Sequence, residues 1–213
     1  MNIDLIISRY NENLNWVHRV ASNIDRIYLY DKGVVDSNIG AFSIKLPNVG
    51  REAHTFLHHI ISQYDNLGDY NAFCQGDPIP HGGDQILHTI NSIKKKTDEF
   101  DFLWLSNGLF VCDKMGLPQH SGLNINDFLN RVGIIDVEDN IAFAPGAQFI
   151  VNKKLILRHP KSFYEKLITQ FDDNLYLEDY RNKDICDGRP YYTLACIFER
   201  IWEKIFKSNL NKI

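Results

Sequence analysis

Gln75-Gly76-Asp77 closes a short apolar run, and Arg51, Glu52 and His54 open a helix-like stretch upstream of it. An aspartate on a tight turn offers a hard oxygen donor. That suits a divalent cation whose remaining ligands are waters or phosphate oxygens. Glycine before the aspartate lets a ligand approach the backbone closely. The same residues also make an Asx turn leading into Pro78, which needs no metal, and spacing leaves both readings open. At Gly50-Arg51-Glu52-Ala53-His54 the free N–H groups of a helix start favour anions. Arg51 adds a fork of donors for phosphate or carboxylate. Equally, Arg51 can be a surface arginine paired with a nearby acid, with Glu52 simply favouring the positive helix end. His54 and His58 have zinc spacing but no third ligand close by, and His58 and His59 read as polar flanks of the apolar stripe.

These groups must be held by regular elements. "IDLIIS" (3–8) and "RIYLYD" (26–31) read as strands, and Leu14, Val17, Val20 and Ile24 between them fall at helical spacing. Strand, helix, strand predicts a βαβ unit with a parallel pair. "FSIKLP" (42–47) is a further short strand. Asn48 can cap a helix with the stripe Ala53, Leu57, Ile60, Tyr64 and Leu67. "YNAFCQ" (70–75) is strand-like, and "GDPIPHGG" admits no regular structure. "DQILHTINSIKKK" reads as a helix, "FDFLWLS" (100–106) as a buried strand, and "AFAPGAQFIVN" (142–152) as a strand with a turn at Pro145-Gly146. Two helices, "SFYEKLITQF" and "YYTLACIFERIWEKIF", complete the pattern. The alternation predicts one α/β domain over 1–213, a sandwich of helices on a mostly parallel sheet.

In such sheets the ligand crevice lies beyond the carboxyl ends of the strands. Ser8-Arg9-Tyr10-Asn11-Glu12 follows the first strand, Asp31-Lys32-Gly33 the second, and Gln75-Gly76-Asp77-Pro78 the later one. Polar, charged and small residues thus gather on one predicted edge. "WLSNGLF" and "PGAQF" set polar residues beside aromatics, as a sugar-binding cleft does, through Trp104, Asn107 and Gln148; Trp104 and Phe149 also suit a core. In the last helix Leu194, Ile197, Phe198, Ile201 and Ile205 form the buried stripe, which puts Glu199 on the solvent side.

Composition narrows the classes. Among 213 residues 44% are hydrophobic and 23% charged, a globular balance rather than a disordered one. A net charge of −4 with no basic stripe gives no case for a nucleic-acid partner, and Lys94 to Lys96 read as a solvated helix end. Cys74, Cys112, Cys186 and Cys196 form no CxxC pair, so a zinc knuckle or disulfide scaffold is not expected, and reduced thiols fit a cytoplasmic setting. No signal peptide or apolar run of spanning length is present, so no transmembrane segment is expected.

"ISRYNENLNWV", "LPNVGREAHTFLHHIISQYDNL", "FCQGDP", "APGAQFIVNKKLILRHPKSFYEKL" and "FERIWEKIF" together resemble the family of small GT-A-type glycosyltransferase domains, including the first domains of multidomain enzymes from chlorella viruses. The likeness covers nearly the whole chain in order. It implies a UDP-sugar donor bound with a divalent cation, manganese usually and magnesium alternatively, and transfer of a hexose or a 6-deoxyhexose such as rhamnose to a glycan or glycoprotein acceptor. It further implies additional domains of the same chain and, for a viral protein, the host cytoplasm. The family's Asp-X-Asp motif corresponds to Gln75-Gly76-Asp77, where an amide replaces the first carboxylate and Asp77 remains as the metal ligand. The nucleotide pocket corresponds to Ser8 to Glu12 and Asp31-Lys32, with Arg51 on the diphosphate. An inverting reaction needs a carboxylate base, for which Glu199 and Asp179 are the candidates. A catalytically silent nucleotide-sugar or carbohydrate-binding module on the same fold is the alternative.

Overall fold

A computed structural model describes residues 1–33, 43–95, 99–172 and 192–211. The chain opens with β1 (Ile3–Arg9), buried at every position because it is flanked on both edges and covered on both faces. Two 3₁₀ turns, Asn15–Arg19 and Ala21–Asn23, lead to β2 (Arg26–Asp31), which pairs parallel to β1. The α-helix expected there is absent. Leu14, Val17 and Val20 recur every third residue, which is the 3₁₀ period, and all three are buried.

β3 (Ser43–Lys45) adds a short parallel edge strand, and α1 (Arg51–Ser62) follows. Asn48 does not cap α1. The cap position is Gly50, in the left-handed region at φ 62°, and Arg51 continues in that region at φ 49°. A Cβ at Gly50 would lie 2.3 Å from Phe171 Cε1, so glycine meets both the conformation and the packing. β4 (Tyr70–Gln75) lies parallel to β1 on its other side. After it, the Gly/Pro-rich stretch does contain a short helix, α2 (Ile79–Gly82), whose Pro80 sits in the first turn where no N–H is required. α3 (Gln85–Ser92) is as expected.

β5 (Phe102–Trp104) is only half-buried, because it forms the far edge of the sheet. β6 (Phe110–Cys112), α4 (Ile125–Val132), β7 (Ile134–Ile135) and β8 (Ile141–Phe143) come next. The strand expected over 142–152 divides at the Pro145-Gly146 turn: β8 pairs with β6, whereas β9 (Phe149–Asn152) enters the main sheet. α5 (Lys153–Ile156), α6 (Lys161–Thr169), α7 (Tyr192–Lys207) and β10 (Asn209–Leu210) complete the order.

The main sheet runs β3-β2-β1-β4-β9-β5. β9 is antiparallel to both β4 and β5, so the sheet is mixed, with β3, β2, β1 and β4 paired parallel as expected. Side chains alternate across it as the two-residue period requires. Ile6, Tyr30, Phe73 and Phe149 face α1, α6 and α7 in one core. Leu5, Ile7, Leu29, Cys74 and Ile150 face the 3₁₀ turns and α3 in the other. The fold is thus an α/β domain with helices on both faces. His59, expected at the edge of the stripe on α1, is fully buried and bonds Tyr30 Oη through Nδ1 at 3.0 Å. Burial pushes its imidazole down to about 3, so it is a neutral core residue.

Candidate functional site

The carboxyl ends of β1, β2 and β4 border a cavity of about 590 Å³. Ser8, Arg9, Tyr10 and Glu12 reach it from β1, Lys32 from β2, Arg51 and Glu52 from the start of α1, and Gln75 and Asp77 from β4. Parallel strands in register put these ends level: Ser8 stands beside Tyr30 on one side and Gln75 on the other.

Arg9 donates from Nη1 to Asp31 Oδ1 at 3.0 Å and from Nε to the Glu12 carbonyl at 3.0 Å. Asp31 is fully buried and also accepts from Lys45 Nζ at 2.8 Å and Gly33 N at 3.0 Å. Burial alone would raise its carboxyl, but Lys45, Gly33 and Arg9 together hold it below the usual range. Asp31 therefore supports Arg9 from beneath and does not itself face the cavity, contrary to the sequence expectation. Asn11 likewise lies outside the cavity lining, with its backbone N–H donating to Glu12 Oε2 at 3.1 Å. Lys32, 7% exposed, donates from Nζ to the carbonyls of Val49, at 2.6 Å, and Arg51. It clamps the loop that carries Arg51, and burial pushes its ammonium down to about 8.

At the β4 end, Asp77 is exposed and its Oδ1 accepts from Ile79 N at 3.2 Å, the Asx turn foreseen as one reading. Gly76 is buried, and a Cβ there would lie 2.4 Å from Glu12 Oε2. The glycine makes room for the Glu12 carboxylate rather than for a ligand. Glu12 accepts from Tyr10 N at 2.6 Å, and Trp16 Nε1 donates to the Gly76 carbonyl at 2.8 Å. Gln148, expected in a sugar cleft, is instead fully buried under this turn: its Oε1 accepts from Gln75 N at 3.1 Å and its Nε2 donates to the Pro78 carbonyl at 3.2 Å.

A second cavity of about 240 Å³ adjoins the first. The two share Arg51, Glu52, Gln75 and His81. Its other walls include Phe110, Phe143 and Glu199. Glu199 is not on a solvent face: Leu194 to Phe198 and Arg200 to Trp202 around it are buried, so at this level the polar side read from periodicity turns into the cavity, and it reaches solvent only further on, at Glu203 and Lys207. Its Oε1 accepts from Gly146 N at 2.7 Å and its Oε2 from Arg200 Nη1 at 3.1 Å. Arg200 is 1% exposed, lies 4.5 Å from the Phe143 ring centroid, and meets His120 Nδ1 at 2.6 Å. Arginine can only donate, so Nδ1 accepts and a neutral ring keeps its proton on Nε2.

Glu52 stands where the cavities meet and is 8% exposed. Burial raises its carboxyl above the ordinary range, its own backbone N–H works against that, and the neighbouring Glu199 charge raises it further. Sequence reasoning assigned Glu52 only to the helix dipole and overlooked Arg200, His120 and His81. The one available signal was an acid and a base side by side at Glu199-Arg200 within a helix with little polar surface. Trp104 is packed against Phe102 and Phe149, with ring centroids 4.9 and 6.0 Å away, and neither it nor the exposed Asn107 lines either cavity. Asp179 and Cys186 lie outside the described residues.

Among the described residues no three His, Cys, Asp or Glu side chains converge as a ready metal cage. Glu12 and Asp77 do share the rim of the first cavity. One or two carboxylates are what a magnesium-like ion takes from protein when phosphates and water supply its other ligands. The donor set therefore fits a hard cation arriving with a diphosphate. No helix among the described residues is long and apolar enough to cross a membrane.

Residues 5–101 match a family profile described as "Protein of unknown function (DUF3431)". The matched span runs from β1 to the edge of β5 and holds Arg9, Lys32, Arg51, Glu52 and Asp77, while Glu199 and Arg200 lie beyond it. Comparison with curated proteins and with solved structures returns no match.

Proposed function

We propose that the chain is a nucleotide-sugar-dependent glycosyltransferase of GT-A type. It moves a hexose or 6-deoxyhexose, rhamnose among them, from a UDP-sugar to a glycan acceptor. The observation that carries this reading is the pair of joined cavities. One lies over parallel strand ends and is edged by Arg9, Lys32 and Arg51; the other carries Phe110 and Phe143 on its wall and holds the carboxyl groups of Glu52 and Glu199. A diphosphate suits the first, a sugar hydroxyl the second, and the anomeric carbon the junction. Arg51 and Lys32 offset the charge that grows on the leaving diphosphate as the glycosidic carbon–oxygen bond breaks. Glu12 and Asp77 would hold the divalent cation, manganese or magnesium, which supplies further charge stabilisation there.

Calorimetry with UDP tests the assignment. Affinity should rise when manganese is added, and Asp77→Asn should abolish that rise while leaving metal-free affinity unchanged. Because a ligand at about 100 times its Kd stabilises the native state by about 2.7 kcal/mol, a thermal-shift screen of UDP-sugars will pick out the donor. UDP release that depends on an added glycan acceptor then marks an enzyme. The second reading, a binding module without turnover, is favoured by one observation: Asp77 is already engaged in its Asx turn and Gln75 stands where a second carboxylate would. Metal-independent UDP binding with no UDP release would support that module and defeat the transferase.

A further inference from the structure

Resting on the transferase reading, we propose that Glu52 is the group that takes the acceptor hydroxyl's proton, and that Glu199 is a positioning residue for it. The acceptor oxygen and the anomeric carbon have to meet where the two cavities join, and Glu52 lines both. Glu199 lines the second cavity alone, and each of its oxygens already accepts a hydrogen bond, from Gly146 N and from Arg200. Glu52 sits in the first turn of α1, so its backbone is fixed by the helix and by the Lys32 clamp on the adjoining Arg51 carbonyl. Its carboxyl is met by Gln75 from β4 and carries the field of Glu199 from α7. Arg51 on the same helix, Lys32 from β2, His81 from α2 and Arg200 from α7 are charged or titratable groups around it, and Arg9, Glu12, Asp77 and His120 line the same two cavities.

The step balances simply. The acceptor O–H proton passes to an Oε of ionised Glu52, and the freed oxygen pair forms the new bond to the anomeric carbon. The bond from that carbon to the diphosphate oxygen breaks, its electron pair leaving with UDP. Burial and the Glu199 charge make Glu52 a stronger base than an exposed glutamate and delay its ionisation. Activity should fall as pH falls through this raised value, so the acid limb of kcat/KM lies above the ordinary glutamate range.

The test uses the full chain with manganese and a panel of UDP-glucose, UDP-galactose and UDP-rhamnose, against p-nitrophenyl glycosides and water as acceptors. Glu52→Gln, nearly isosteric, should lower kcat about 10²- to 10⁴-fold and remove the acid limb. UDP should still bind it, which shows that the fold and the first cavity are intact. Glu199→Gln should lower kcat far less than Glu52→Gln does and move the acid limb to lower pH, because a negative charge beside Glu52 has gone. In Glu52→Ala, azide, a nucleophile with no proton to lose, should restore UDP release and yield a glycosyl azide. The assignment is overturned if Glu52→Gln keeps its kcat within about threefold, well short of the effect of losing a general base. It is equally overturned if Glu199→Gln is the inactive variant and Glu52→Gln is not. A wild-type chain that binds UDP yet releases none from any donor brings down the transferase reading itself, and this assignment with it.

Discussion

Asp31→Ala is expected to destabilise the fold by about 3–5 kcal/mol, the usual result of breaking a buried ion pair by deleting one partner. Asp31 has no exposed surface, and its carboxylate takes donors from Arg9, Lys45 and Gly33. Arg9 is itself 5% exposed, so the substitution removes the carboxylate opposite a desolvated guanidinium. Lys45 is half-exposed and contributes less, since solvent screens it. Urea unfolding should show the loss as a lower midpoint at unchanged slope, the sign that stability rather than compactness has altered. pH offers a second check. The Asp31 carboxyl is depressed in the folded chain, so its contribution is present above the unfolded value of 3.8 and is lost as pH falls through the folded one. The wild-type and Asp31→Ala stabilities should therefore converge at low pH. Separate curves across the acid range, or an Asp31→Ala midpoint equal to wild type, would show that the pair is not coupled to folding.

The same ion pair shows what a one-dimensional reading can and cannot supply. β1, β2 and β4 are legible because a strand covered on both faces must be apolar at nearly every position, and such runs stand out. Which way a strand pairs is not written in its own residues, so β9, apolar from Phe149 to Val151, gave no sign of running antiparallel. Periodicity failed in α7 for a related reason. A polar stripe marks solvent only where solvent reaches it: Glu203 and Lys207 are open, but one turn earlier Ala195, Cys196, Arg200 and Trp202 are all buried and Glu199 faces a cavity. Three-residue spacing at Leu14, Val17 and Val20 was the subtler case: it fits both helix types over one turn, and the tighter one formed.

For the site, the rule that ligands sit beyond parallel strand ends puts Ser8, Arg9, Lys32, Gln75 and Asp77 on one edge, and the structure gathers them around one cavity. The second cavity was out of reach. Glu52, His81, His120, Phe143 and Glu199 come from five separate segments, and no local spacing relates them. Asp31 illustrates a further limit. A charged residue at a strand end looks equally functional whether it faces the ligand or braces the residue that does, and only burial separates the two.

Lys32→Met should weaken UDP binding by about 10- to 150-fold, the equivalent of the roughly 1.5–3 kcal/mol carried by a hydrogen bond to a charged group. An ammonium has three donors. Two go to the Val49 and Arg51 carbonyls, and Lys32 also lines the first cavity. Methionine fills the same space without holding the loop, so Arg51 loses its tether as well as the cavity its charge. The dependence on pH separates charge from packing. Burial lowers the ammonium from 10.5 to about 8, with Glu52 acting against the shift. Affinity for the diphosphate should then decline in wild type as pH rises through about 8, while Lys32→Met, weak throughout, stays flat. Folding stability runs the other way. A depressed lysine disfavours the native state while it must be charged there, and the penalty is relieved as pH climbs from about 8 to the unfolded value of 10.5. Over that interval wild type should gain stability relative to Lys32→Met while losing affinity for UDP. A variant that keeps wild-type affinity, or a wild type whose affinity is level from pH 7 to 9.5, would mean that Lys32 clamps the loop without meeting the ligand.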